Sequence, residues 1–375
     1  MSLTVLFALI TGVWATMLTI RYARLYAVGS DEISGVQKFH DHWVPRIGGL
    51  PMFMAFSAAA LLSAWATKQY VTETAFLLVC LLPAFSIGLL EDLTRKAGVS
   101  VRLLVTMLAA GLGWWLLKAK LTRLDLPLID HWLALWPLAA LCLTLIAASG
   151  IAHAVNIIDG YNGLSGFHML MAFAAMGWVS YTSGDDMLCR FSVIAAAAVF
   201  GFLIFNFPRG HIFMGDSGAY FLGFLFAELA ILLVTRHPDI SPWFPMVLMA
   251  YPVWETLFSM ARRIRRGFSA MGRPDALHLH HLVYRRLIKC YGSSPADRLK
   301  RNAAAAVLCW AFPLLSVVPA LIWPRHSGML MLASAAIVLL YLRLYVGLVT
   351  FRMPPWMVFR ASQPTIDKSS APKRR

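Results

Sequence analysis

Three short segments carry carboxylates in a chain otherwise poor in acid. Glu91 and Asp92 are adjacent; Asp159 lies in HAVNIIDGYNGLSG (153–166), between Asn156 and Asn162; Asp216 lies in FPRGHIFMGDSG (207–218). In D-G-Y-N-G and G-D-S-G the carboxylate stands beside glycine, which lets the backbone bend sharply and approach a ligand closely. Such oxygens suit a hard divalent cation, Mg²⁺ with Mn²⁺ as a substitute, which takes one or two carboxylates and completes its shell with phosphate and water. A fourth segment, GRPDALHLHHLVYRRL (272–287), presents His278, His280 and His281 as H-x-H-H. No cysteine completes a common zinc set there, so imidazole and guanidinium groups, Arg265 just upstream among them, fit phosphate, sugar or base recognition better. QKFHDHWVPRIGGLP (37–51) adds Lys38 and Arg46 ahead of a Gly-Gly pair, a basic loop suited to an anionic head group. Each segment alone also has a bland reading, as a helix-end carboxylate, an Asx-Gly turn or a charge that orients a membrane protein.

The elements that must position these residues are apolar helices. Of 375 residues 59% are hydrophobic and 14% charged, whereas soluble domains are near half apolar and a quarter charged. Uncharged stretches at 3–20, 48–67, 74–90, 103–118, 134–154, 166–182, 190–206, 218–235, 241–260, 303–323 and 329–347 predict an all-α integral membrane protein of about eleven transmembrane helices. The first has no basic residue ahead of it and Arg21 and Arg24 behind, which reads as a retained helix with its N-terminus outside. With that start, Lys68, Lys118, Lys120, Arg123, Arg190, Arg236 and Arg325 fall outside and the other Lys and Arg inside. The bias is roughly four to one and places the C-terminus in the cytoplasm. Topology thus accounts for the formal charge of +15, and no nucleic-acid partner is expected. The five cysteines form no C-x-x-C pair and indicate neither a zinc site nor a disulfide framework.

This topology brings Glu91, Asp92, Asp159 and Asp216 to one membrane face at one depth, with the histidines in the largest cytoplasmic loop. Residues 1–350 read as one multi-span domain, and 351–375 as a polar, basic, disordered cytoplasmic tail. A metal, clustered phosphates and a hydrocarbon chain held by the helices together suit phosphoryl transfer, which needs mainly positioning and charge stabilisation. Glu228 and Glu255 fall inside predicted spans, where a carboxylate is a functional candidate by default.

HAVNIIDGYNGLSG, FMGDSGAYFLG, Glu91-Asp92, VPRIGG and HLHH resemble, in order, the motifs of the polyprenyl-phosphate N-acetylhexosamine-1-phosphate transferases of glycosyltransferase family 4. H-x-H-H is closer to the undecaprenyl-phosphate N-acetylglucosamine-1-phosphate transferase branch than to the three consecutive histidines of the peptidoglycan branch. The resemblance implies an enzyme of the bacterial inner membrane that moves a sugar 1-phosphate from a UDP-N-acetyl sugar to undecaprenyl phosphate and releases UMP. It would initiate O-antigen or another cell-surface polysaccharide, and a homodimer is allowed for. By motif, Asp216 with Asn156 or Asp159 would hold Mg²⁺, and Glu91, Asp92 and Asp159 would be catalytic. Lys38, Arg46, Asn162, Arg265, His278, His280 and His281 would contact substrates. Two departures stand out: Glu91 replaces the usual first Asp of the acidic pair, and Asn162 replaces a second carboxylate and cannot act as a base. A peptidoglycan-type phospho-N-acetylmuramoyl-pentapeptide transferase, a transporter or flippase, and an inactive relative are the alternatives. A transporter would place its acids near the bilayer midplane, as only Glu228 and Glu255 are here.

Overall fold

The computed structural model describes residues 1–26, 44–265, 277–289, 294–354 and 357–360. The described chain is helical: α1 (Ser2–Tyr26), α2 (Gly49–Thr67), α3 (Val71–Thr94), α4 (Val99–Leu112), α5 (Pro127–Leu135), α6 (Pro137–Ile158), α7 (Leu164–Thr182), α8 (Asp186–Asn206), α9 (Gly215–Arg236), α10 (Trp243–Leu248), α11 (Ala250–Ile264), α12 (Leu279–Arg286), α13 (Pro295–Cys309), α14 (Ala311–Ile322) and α15 (Ser327–Val349). The only sheet among the described residues is a two-residue parallel pairing of β1 (Ile288–Lys289) with β2 (Phe359–Arg360). Nine helices of the described residues are long and apolar enough to cross a bilayer, and the chain is a multi-pass membrane protein.

Two of the eleven expected spans differ from that picture. The helix expected at 166–182 is present as α7 but is not among the nine, because Ser165, His168 and Ser180 dilute its apolar character. The span expected at 241–260 is broken at Met249 into α10 and α11. Pro245 and Pro252 flank the break, and each removes a backbone donor that a continuous helix needs. The expected fourth span, 103–118, starts earlier, at Val99, and its last turn, Gly113–Leu117, widens to a π-helix. Most of the tail expected after 350 lies outside the described residues, as does Lys38.

Helix α9 is the axis of the bundle, buried from Gly215 to Val234. It packs against α2, α3, α6, α7 and α8. Its N-terminal turn admits neighbours only because they lack side chains. A Cβ on Gly88 of α3 would sit 2.6 Å from the Ser217 backbone nitrogen, and one on Gly49 of α2 would overlap Ser217 and Gly218. Small residues at helix crossings let backbones approach where no hydrophobic drive separates helix from lipid. The helix ends sort into two sets. At one end of the bundle, Phe213 N–H donates to Pro45 O at 2.9 Å, and Gly48 and Gly49 N–H donate to Phe213 O and Met214 O at 2.9 and 3.0 Å. At the other, Asp185 accepts from His237 Nε2 at 3.0 Å, and Arg123 donates to Ile240 O at 2.7 Å.

Candidate active site at one end of the helix bundle

The three backbone bonds between residues 45–49 and 213–214 fix the loop before α2 against the loop before α9. Gly215 sits at that junction with φ +73°, and a Cβ there would overlap the Arg46 carbonyl. Beyond it, Asp216 opens α9 with its carboxylate almost buried. Asn156 Nδ2 donates to Asp216 Oδ1 at 3.0 Å, Arg46 Nη2 lies 3.8 Å from the same oxygen, and Arg102 Nη1 is in contact with Oδ2. Four segments distant in sequence, the 45–49 loop, α4, α6 and α9, therefore meet at one carboxylate.

The acidic pair is divided between two tasks. Asp92, buried at the end of α3, accepts from Asp216 N–H at 2.8 Å, Ser217 N–H at 2.9 Å and Ser217 Oγ at 2.6 Å. These are donors that a helix N-terminus leaves unsatisfied, and a carboxylate also complements the positive end of the helix dipole. Glu91 faces the α3–α4 connection, where Oε2 accepts the Ala97 N–H at 2.8 Å. Its extra methylene relative to Asp lets it reach that amide six residues on.

Asp159 ends α6 and accepts from Ser165 Oγ at the start of α7. Burial lifts its carboxyl to about 6, against the opposing pull of Ser165 and Arg46. Asn162 faces the other way: its Nδ2 donates to Pro208 O at 3.2 Å and its N–H to Asn302 Oδ1 at 2.9 Å. The D-G-Y-N-G loop is thus tied to the 207–210 loop and to α13. Arg265 lies exposed at the C-terminal end of α11, and no described contact joins it to the acids.

All three histidines are buried, and each has its Nδ1 beside a partner. His278 Nδ1 donates to Glu255 Oε1 at 2.8 Å; His280 Nδ1 is 3.3 Å from the Tyr251 hydroxyl; His281 Nδ1 is 3.1 Å from the Tyr161 hydroxyl. Tyr161 belongs to D-G-Y-N-G, so this contact binds the histidine segment to the Asp159 loop. His280 Nε2 has no hydrogen-bond partner among the described residues, and a Cβ on Gly160 would lie 2.6 Å from it. Burial, reinforced by His281 and His278, holds the His280 imidazole well below its usual range, so it is neutral at neutral pH.

Among the described residues no three His, Cys, Asp or Glu side chains converge as a closed metal cage. Mg²⁺ does not need one, because substrate phosphates and water supply most of its shell. Asp216 with the Asn156 amide beside it is a donor pair of that kind. The sequence alone does not single out Arg102, because with a span expected at 103–118 it falls among the orienting charges. With α4 starting at Val99, it is an arginine inside a membrane helix, which is the signal that finds it.

A sequence model of glycosyl transferase family 4 matches residues 74–234, the stretch from α3 through α9 that carries Glu91, Asp92, Arg102, Asn156, Asp159 and Asp216. The undecaprenyl-phosphate alpha-N-acetylglucosaminyl 1-phosphate transferase of Escherichia coli is 30% identical over 282 residues, covering 72% of this chain and 74% of that protein. This chain belongs to glycosyl transferase family 4. Two further family members extend the similarity. The probable undecaprenyl-phosphate N-acetylglucosaminyl 1-phosphate transferase of Bacillus subtilis is 28% identical over 266 residues, 68% of this chain and 69% of the relative. The decaprenyl-phosphate N-acetylglucosaminephosphotransferase of Mycobacterium leprae is 29% identical over 370 residues, 88% and 87% of the two chains. The similarity to this last relative therefore runs beyond α9, into the part of the chain that carries H-x-H-H.

Proposed function

We propose that this protein transfers an N-acetylhexosamine 1-phosphate from a UDP-sugar to undecaprenyl phosphate at the cytoplasmic face of the inner membrane, as an early step of O-antigen or related polysaccharide synthesis. N-acetylglucosamine is the first donor to test, because it stands in the names of the relatives. The observation that carries the reading is the meeting of Arg46, Arg102 and Asn156 on the Asp216 carboxylate, a charge arrangement suited to a diphosphate and a phosphate brought together. The excess of Lys and Arg on that side supports its cytoplasmic placement.

The acceptor phosphate oxygen attacks the β-phosphorus of the donor; the bond to the bridging oxygen breaks, and UMP leaves with that oxygen. A phosphate oxygen is already ionised at neutral pH, so no strong protein base is required, which suits an Asp92 engaged by three donors. Asp216 and Asn156 would hold Mg²⁺, and when bound the ion neutralises diphosphate charge. Arg102 and Arg46 stabilise the anionic oxygens as charge shifts toward UMP. Arg102 is paired with the Asp216 carboxylate that would hold the ion, so its guanidinium would be free to turn to a phosphate once a cation took over that charge. His280, neutral, offers Nε2 to the donor beside Gly160; Asp159 keeps the 159–166 loop in place through Ser165.

The test is a panel of UDP-N-acetyl sugars with undecaprenyl phosphate and purified protein in lipid. Lipid-linked product with one donor, abolished by EDTA and restored by Mg²⁺, is expected. Turnover indifferent to EDTA would remove the metal, and silence with every donor beside an active relative would remove the reaction.

A further inference from the structure

Glu255 lies fully buried on α11 with three donors on its carboxylate. Oε1 accepts from His278 Nδ1 at 2.8 Å; Oε2 accepts the Leu279 N–H at 3.1 Å and the Tyr341 hydroxyl at 3.0 Å. The three donors come from the residue ahead of α12, the first residue of α12, and α15. A buried carboxylate is costly unless it is fully hydrogen-bonded, and this one is bonded chiefly to the H-x-H-H segment. Tyr251, one turn earlier on the same face of α11, meets His280. The rings of His278 and His280 are stacked nearly parallel, 5.5 Å apart at 5°.

We infer that Glu255, backed by Tyr341, is the positioning residue of the histidine segment, fixing the His278 ring and the start of α12 so that the imidazoles face the donor. Accepting from Nδ1–H sets the tautomer and orientation of His278, the role a buried carboxylate plays behind a working histidine elsewhere. The geometry also explains why an acid is needed. An amide at 255 has one acceptor oxygen, and its NH₂ would be set against an N–H or O–H donor. The inference rests on the proposed donor contact of the histidines.

The test measures steady-state kinetics of donor use in Glu255→Gln, Tyr341→Phe and His278→Ala, with each double variant, on protein whose thermal unfolding is recorded in parallel. Glu255→Gln is expected to lower kcat/KM for the UDP-sugar about ten- to hundredfold, the range for carboxylates that orient histidines, chiefly through KM. Tyr341→Phe is expected to lower it less. In the His278→Ala background either change should add under about twofold, since the residue positioned is gone. Full additivity with His278→Ala, or wild-type kinetics in Glu255→Gln, would overturn the inference. If Glu255→Gln fails to fold, the Tyr341→Phe and His278→Ala pair decides by the same criterion. Wild-type donor kinetics in His278→Ala would instead count against the donor contact itself, and so against the reading beneath.

Discussion

Asp92 accepts the backbone N–H of Asp216 at 2.8 Å, so one carboxylate holds in place the backbone that carries another. Both are buried, but the first accepts from backbone and Ser217 while the second faces Arg46, Arg102 and Asn156. Their substitutions therefore have different consequences. Asp92→Ala leaves three buried donors without an acceptor and is expected to cost roughly 2–4 kcal/mol, seen as a large fall in Tm together with lost turnover. Asp216→Asn is expected to lose turnover with a much smaller change in Tm. Equal destabilisation by the two would show that Asp216 is structural.

Arg102 is expected to act on phosphate charge. Arg102→Ala should lower kcat/KM about ten- to hundredfold, the scale of a lost charged hydrogen bond, and Arg102→Lys should recover part of it. An unchanged rate in Arg102→Ala would confine the residue to its ion pair with Asp216.

Gly160 is predicted to be intolerant for a reason confined to one contact. Its backbone is not in the left-handed region, so alanine meets no strain of its own, but the added Cβ would lie 2.6 Å from His280 Nε2. Gly160→Ala should raise KM for the UDP-sugar several-fold with little change in thermal stability. Normal donor KM would separate His280 from donor binding.

The buried His280 also gives stability a direction with pH. Its folded pKa lies well below the usual value because of burial, while the unfolded chain takes up the proton near pH 6.5. Stability is then full above that pH and declines as pH falls below it, by up to ~1.4 kcal/mol per unit for this residue. Thermal unfolding between about pH 7.5 and 5.5 should show a smaller drop in His280→Gln than in the parent. An identical drop would mean that His280 carries a proton in the fold.

The helices and the gathering of the acids at one end of the bundle were legible because apolar length and carboxylate placement are local properties of the sequence. What was not legible depended on which donors each acid meets. Asp92 and Asp216 look alike in the sequence, yet only packing of α3 against the start of α9 makes one a backbone acceptor and the other the partner of Arg46, Arg102 and Asn156. Asn162, expected at substrate, is also hydrogen-bonded to Pro208 and Asn302, partners 46 and 140 residues away. Glu255 stood out without a partner; its partners lie 23, 24 and 86 residues on, and no periodicity reports such pairings. The break at Met249 was hidden because Pro245 and Pro252 lie in a stretch apolar enough to read as one span.

The central claim is that the sugar moves together with its phosphate. Donor labelled at the β-phosphate, incubated with the protein, Mg²⁺ and undecaprenyl phosphate, tests it most directly. The account predicts label in the lipid fraction and unlabelled UMP released in equal amount. Label released as UDP, with sugar on the lipid, would contradict it.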